Sequence, residues 1–307
     1  MNILLTGASG LIGKALLKNL VADGHHVLAV SRSPEKAQTA IKKQYGNQVL
    51  AAVDWCQSIE ELQDVDAIDA VINLAGEPIV ASRWTDSQKR RIENSRWLIT
   101  KQLVDLIHKS ANPPAVFISG SAIGYYGRQD SQPIDEDYEQ VYPEFSHQLC
   151  KRWENIAMEA SSDVTRVCLL RTGIVLSNKG GALDKMVLPF KLGLGGPIGD
   201  GKHFMSWIHI EDMVSGILHL LHSEISKGAY NLTAPNPANN KDFAKALAKA
   251  LSRPALITTP KFALRLLLGE MADLLIYGQN VLPTKLQQEG FEFRFGQLDA
   301  ALQDLNL

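Results

Sequence analysis

Residues 1–13 read MNILLTGASGLIG, and their pattern is strand, tight turn, helix. Ile3-Leu4-Leu5 form a short apolar run that ends in Thr6. Glycines follow at Gly7, Gly10 and Gly13. Beyond them Leu16, Leu17, Leu20 and Val21 share one side of a helical pattern that Gly24 stops. A glycine in such a turn takes backbone angles closed to other residues. A second lets the main chain approach a pyrophosphate, and a third lets the helix pack close to the strand. The free N–H groups and positive dipole end of the helix then hold phosphate charge. The spacing G-x-x-G-x-x-G differs from the common G-x-G-x-x-G. A strand before it, a helix after it and a second strand at His26–Val30 supply the context a dinucleotide site requires. Ser9, Leu11 and Ile12 join the three glycines as cofactor-binding candidates of this turn.

The end of the second strand bears on which dinucleotide is bound. A ribose 2′-hydroxyl is usually read by an acidic residue about 20 positions past the glycines. Here that place holds Ser31-Arg32-Ser33, with no carboxylate before Glu35. Arg32 can fork onto a 2′-phosphate and Ser31 can donate to it, so NADP is expected rather than NAD.

Working outward, 307 residues with 45% apolar and 21% charged side chains imply a normal globular core in one large or two modest domains. A net charge of −2 and the lack of a basic stripe speak against nucleic acid as a partner. No stretch approaches the length of a membrane span, and no cationic segment precedes the first apolar run. The three cysteines, Cys56, Cys150 and Cys168, are widely spaced. They imply no disulfide framework and no metal site, and they fit a reducing cytoplasm.

Further strands are expected at Leu50–Val53, Asp69–Leu74, Ala115–Ile118 and Val164–Leu170. Polar and amphipathic helices lie between them, over 85–107 and 145–161. This alternation implies a doubly wound parallel sheet, with ligands at the carboxyl ends of its strands. Leu74, Ala75, Gly76 and Glu77 follow the fourth strand. The small side chains of Ala75 and Gly76 would let a flat ring or ribose lie against them. Ser121, Tyr125 and Tyr126 follow the fifth strand. The acidic run Asp135-Glu136-Asp137 is expected to face solvent. His147 and Lys151 are four apart and share one helix face. From Gly180 to Gly201 the chain is glycine-rich and reads as a loop able to cover a substrate, with Met186, Leu188, Phe190, Leu192 and Leu194 as its packing groups. A strand at 207–210, another at 229–232, a helix at 240–251 and a closing helix at 298–305 complete the chain.

Several motifs carry a resemblance. TGASGLIG at Thr6 to Gly13, NLAG at Asn73 to Gly76, ISGSAIGYYG at Ile118 to Gly127 and WIHIEDM at Trp207 to Met213 resemble the extended short-chain dehydrogenase/reductase superfamily, the NAD(P)-dependent epimerase/dehydratase-like proteins. GEPI and RW within Gly76 to Trp84, SRW at Ser95 to Trp97, KRWE at Lys151 to Glu154 and LPFKLGLGGPIGDG at Leu188 to Gly201 are similar to its YfcH-type, atypical epimerase-family members. The resemblance spans essentially the whole chain. It implies a Rossmann-like domain over 1–175, re-entered at about 207–232. A smaller C-terminal α+β substrate domain would take 176–206 and 233–307. It also implies hydride chemistry using a serine and a Y-x-x-x-K pair.

Ser121 matches the serine. At the tyrosine position stands His147, giving His147-x-x-x-Lys151. An imidazole beside an ammonium is biased toward its neutral form, so His147 could act as base or donor. Alternatively His147 only caps or packs while Lys151 binds the nicotinamide ribose, and Tyr125 or Tyr126 supplies the phenol. Arg96 falls where the superfamily usually has an asparagine, which implies an anionic group of cofactor or substrate nearby. The resulting expectation is an NADP-dependent oxidoreductase or nucleotide-sugar-epimerase-like enzyme acting on a small hydroxyl or carbonyl compound. The alternative is an NADP-binding sensor or interaction protein with little catalysis. A homodimer is expected by resemblance alone, since such proteins often dimerise through helices like those after the fourth and fifth strands.

Overall fold

β1 (Asn2–Thr6), α1 (Leu11–Ala22) and β2 (His26–Val30) form the first βαβ unit of a computed structural model that describes all 307 residues. Ile3 to Thr6 are all buried, as in a parallel strand covered on both faces. α2 (Pro34–Tyr45) buries only Ala37 and Ile41. The third strand lies three residues later than the sequence pattern suggests. Asn47–Leu50 form a 3-10 turn that buries Val49, and β3 is Val53–Cys56. β4 (Ala70–Asn73) leads into α3 (Asp86–Lys109), one unbroken helix whose Thr85 cap accepts a hydrogen bond from the Gln88 N–H. β5 (Val116–Ala122) extends four residues beyond the expected end and so includes Ser121. A two-residue β6 (Pro133–Ile134), α4 (Phe145–Met158) and β7 (Arg166–Thr172) follow.

The main sheet has seven parallel strands in the order β11-β7-β5-β4-β1-β2-β3, where β11 is Gly228–Leu232. Strand order reverses between β1 and β4, and the crevice above their carboxyl ends is where such sheets bind ligands. β8 (Ile174–Leu176) pairs with β10 (Trp207–His209) outside this sheet.

Between them lie α5 (Ala182–Lys191) and the short β9 (Phe204–Met205). The glycine-rich segment expected as loop therefore starts with a helix. Pro189 stands late in α5, and Leu188, Leu192 and Leu194 are exposed rather than packed. α6 (Ile210–His222) is capped by the side chain of His209, which accepts from the Glu211 N–H, so this histidine is structural. α7 is Asn240–Ala250.

One core joins α1, α2 and α6 to one face of the sheet, and a second joins α3 and α4 to the other. A third, separate core gathers Leu183 and Phe190 of α5, Phe243 and Leu247 of α7, and Leu302 of the last helix, Leu298–Asp304. Glu136 does not face solvent as expected. It is buried and accepts from the main-chain N–H groups of Asn231 at 2.9 Å and Lys285 at 3.2 Å, while Asp135 and Asp137 stay exposed. No helix is long and apolar enough to cross a membrane.

Candidate active site

Two glycines make the crevice. Gly7 has φ +74°, and a Cβ there would lie 2.5 Å from the Leu74 carbonyl oxygen. A Cβ on Gly13 would lie 2.1 Å from the Gly7 carbonyl oxygen. The first contact lets the β1 and β4 turns touch, and the second sets α1 directly on the turn. Gly10 closes it by donating to the Gly7 carbonyl at 2.9 Å. No side chain caps α1, so its first-turn N–H groups, at Leu11 and Ile12, are left for an outside acceptor. Ser9 is exposed beside them. At the end of β2, the Ser31 N–H donates to Cys56 O at 3.0 Å, while Arg32 is exposed and without an ion pair.

The β4 end is held from below. Thr6 donates to Asn73 Oδ1 at 2.6 Å, Asn73 Nδ2 donates to Thr100 at 2.9 Å, and Trp153 Nε1 donates to the same Thr100 hydroxyl at 2.9 Å. This buried chain locks β1, β4, α3 and α4 together and sets the direction of the 74–77 loop. The Glu77 N–H donates to Ser95 at 2.9 Å. Arg96 lies against Gly76, where a Cβ would come within 3.0 Å of its Cζ, and over the Trp153 ring at 5.2 Å. Its protein acceptors are the Ile92 carbonyl and Ser95, with no carboxylate in reach. Burial lowers its pKa from the usual arginine value, against the opposing pull of Cys150 and Glu77. A half-buried guanidinium with donors to spare suits an anion.

At the β5 end, the Ser121 hydroxyl donates to Glu154 Oε1 at 2.6 Å. Glu154 is buried and takes a two-pronged bond from Arg171, Nε to Oε1 at 3.0 Å and Nη2 to Oε2 at 2.9 Å. Arg171 also donates to the Tyr126 hydroxyl and the Glu136 carbonyl, and its guanidinium sits 3.6 Å from the Tyr125 ring centre. Sequence reasoning missed this pair. Its signal was a charge inside the apolar strand VCLLRT together with a carboxylate on the apolar face of α4.

The rotation of α4 decides which of its side chains stand beside Ser121. Residues four apart share a helix face, and the next residue is turned by about 100°. The face beside Ser121 carries Cys150 and Glu154, with Ser146 one turn earlier: a Cβ on Gly124 would lie 3.1 Å from Ser146 Cβ and 3.6 Å from Cys150 Sγ. His147 and Lys151 are turned from that face into a groove of about 570 Å³ that they share with Tyr125, Glu136, Asp137 and Glu139. His147 is buried with Nδ1 on the Tyr125 carbonyl, and Lys151 is exposed. The structure thus brings Tyr125, His147 and Lys151 together and leaves Ser121 on Glu154. Tyr126 is fully buried, with its hydroxyl 2.8 Å from Asn231 Oδ1, and burial pushes its pKa up to about 12.

The cysteines are all buried and unpaired. Burial raises each, Cys150 to about 12 and Cys168 to about 11. A thiolate-selective disulfide reagent at about pH 8 is expected to label none of them in the native protein and all in denaturant. A fast native equivalent would contradict the packing around Cys150.

Comparison with known proteins places this geometry. Residues 3–233 match the NAD dependent epimerase/dehydratase family, and residues 259–305 match a domain of unknown function, DUF1731. An Arabidopsis thaliana chloroplastic protein, epimerase family protein SDR39U1 homolog, is 38% identical over 99% of this chain and 86% of its own length. The Staphylococcus aureus epimerase family protein SAR0825 is 35% identical over 98% of both chains. The crystal structure of human epimerase family protein SDR39U1 (isoform 2) with NADPH superposes at a TM-score of 0.89, with 34% identity over 100% of this chain and 99% of that one.

Proposed function

The chain belongs to the NAD dependent epimerase/dehydratase family, and on that premise we propose that it binds NADP(H) in the β1–β4 crevice and carries out redox or epimerase-type chemistry on a small hydroxyl or carbonyl compound. The crevice fits a dinucleotide: it is free of Cβ atoms at Gly7 and Gly13, and the N-terminus of α1 is uncapped. Bound there, the nicotinamide supplies hydride transfer. Gly7, Ser9, Gly10, Leu11, Ile12 and Gly13 hold the pyrophosphate, and Leu74, Ala75, Gly76 and Glu77 hold the neighbouring ribose and ring. Ser31 and Arg32 take the 2′-phosphate. Arg96 takes an anionic group of cofactor or substrate. Ser121, its proton committed to Glu154, offers oxygen lone pairs to a substrate hydroxyl. Tyr125, His147 and Lys151 line the groove through which a proton leaves or enters. Residues 1–175 with about 207–232 hold the cofactor, and the remainder closes over the substrate.

The observation that carries this reading is Arg32, exposed at the end of β2 with no acid in the place of a ribose-binding carboxylate. Titration with NADPH and NADH, followed by tryptophan fluorescence and calorimetry, tests it. NADPH is expected to bind at least about tenfold tighter, and Arg32→Ala to erase the preference, since a charged hydrogen bond contributes about 1.5–3 kcal/mol. Equal binding of the two would remove Arg32 from the site.

One observation favours a second reading, an NADP-binding sensor with little turnover. α4 turns Ser146 and Cys150 toward the Ser121 side, where the superfamily's chemistry needs a phenol and an ammonium. Tight NADPH binding without turnover of any hydroxyl or carbonyl compound would support it.

A further inference from the structure

The opposite edge of the sheet holds a group of side chains that the cofactor crevice does not use. Asp23 caps the carboxyl end of α1, His25 stands just before β2, and His222 is the last residue of α6. Asp23 and His25 flank Gly24, but His222 lies far along the chain, so no motif spacing shows all three. In the fold, one ligand atom from each, a carboxylate oxygen and two imidazole nitrogens, lies within 4.8 Å of the others. The two ring centres are 5.5 Å apart. Two imidazoles sharing one tetrahedral zinc place their centres on the order of 5 Å apart, given Zn–N bonds of about 2 Å.

Two features set this group apart from a chance surface cluster. His25 is buried, with Nδ1 3.3 Å from the Met1 amine and Nε2 without any partner. A buried polar atom left unpaired is costly, and ligation of the ring would remove that cost. Two helices of 12 and 13 residues also end here. Helix carboxyl ends carry partial negative charge and favour a cation, yet the last turn of α1 contains no basic residue to answer it.

We propose that Asp23, His25 and His222 form a site for one divalent transition-metal cation of the zinc type, which ties the α1–β2 turn to the end of α6. Two imidazoles and one carboxylate are a borderline-soft donor set, suited to zinc, cobalt or nickel rather than calcium or magnesium. With three protein ligands, water takes the fourth position. The ion acts as a staple. Leu16, Leu17 and Leu20 of α1 already share a core with Met213, Ile217 and Leu220 of α6, and the metal fixes the ends of the two packed helices. The site lies at the amino-terminal edge of β2, a strand's length from the crevice, so it stands or falls independently of NADP binding.

The test uses the full chain after chelator treatment, titrated with zinc by calorimetry and with cobalt by visible absorption. One zinc per chain is expected, with a raised thermal midpoint and the absorption of four-coordinate cobalt. His222→Ala and Asp23→Asn change exposed ligands and should leave the fold and NADPH binding intact. Each is expected to weaken zinc binding at least about tenfold, since loss of even an outer-shell partner costs that much. His108→Ala, at an exposed histidine of α3, should bind as the parent does. Absence of stoichiometric binding by the parent chain would overturn the proposal. So would zinc affinity unchanged in both His222→Ala and Asp23→Asn.

Discussion

Glu154→Ala is expected to destabilise the protein by about 3–5 kcal/mol, the usual loss when one partner of a buried ion pair is removed. Arg171 and Glu154 are both almost fully buried, with side chains only 6% exposed. Without the carboxylate, Arg171 keeps the Tyr126 hydroxyl, the Glu136 carbonyl and the Tyr125 ring as neighbours, but no counter-charge. Those contacts place the effect nearer 3 than 5 kcal/mol. Against a typical total of about 5–15 kcal/mol, that is a large share. Glu154→Gln keeps an acceptor for Ser121 and the side-chain volume, and should cost roughly half as much. The informative variant replaces both partners, Glu154→Leu with Arg171→Met. It should be more stable than Glu154→Ala alone, because no buried charge is orphaned. Urea unfolding midpoints at unchanged slope measure all three. A loss under about 1 kcal/mol for Glu154→Ala would mean that the pair is hydrated, as surface pairs are.

The same pair shows where sequence pattern stops being informative. β1, α1 and β2 were legible because local signals agreed: an apolar run, glycines at a turn, then apolar residues at helical spacing. The matching strand at His26–Val30 has the expected bounds. α2 gives little signal, because a helix that buries only Ala37 and Ile41 has almost no apolar stripe. α5 was hidden by the glycines on either side and by Pro189; of the expected packing groups Phe190 does anchor it, together with Leu183 and Val187, and their partners lie far away in the chain. Glu136 looked like a solvated acid among acids. Only the approach of the Asn231 and Lys285 amides explains its burial.

The candidate residues at the strand ends follow from the order of the sheet, and those on α4 depend on more than that order. Strand ends converge by topology, so Gly7, Ala75 and Ser121 needed only the order of the sheet. Which stripe of a helix meets a strand end depends on its rotation about its own axis, and a shift of one residue turns the face by about 100°. His147-x-x-x-Lys151 has the spacing of a pair on one face. The face turned to Ser121 is its neighbour, because Trp153 packs over Gly120, where a Cβ would come within 2.8 Å of the indole, and Glu154 must reach Arg171.

Gly13→Ala is expected to weaken NADPH binding by on the order of 100-fold and to lower stability as well. The new Cβ would lie 2.1 Å from the Gly7 carbonyl oxygen and 2.9 Å from Ala8 Cα, both main chain. The turn cannot yield toward β4, since Gly7 is itself pressed against the Leu74 carbonyl. α1 must therefore slide away from the turn. Overpacking of this kind costs about 1–3 kcal/mol, and replacing a helical glycine by alanine returns about 1 kcal/mol through propensity. Because the clash is with main chain, net stability falls by about 2 kcal/mol or more. Binding has no such compensation. The N–H groups of Leu11 and Ile12 leave the position from which they meet the pyrophosphate, and each lost 1.4 kcal/mol is about tenfold. Gly24→Ala is the matched control. Gly24 ends the same α1 region with φ +78°, and a Cβ added there would meet nothing within 4 Å. It should lose about 1 kcal/mol of stability to backbone strain and bind NADPH normally. If Gly13→Ala bound NADPH within about threefold of the parent, the amino end of α1 would not be the phosphate site, whatever the family of the fold.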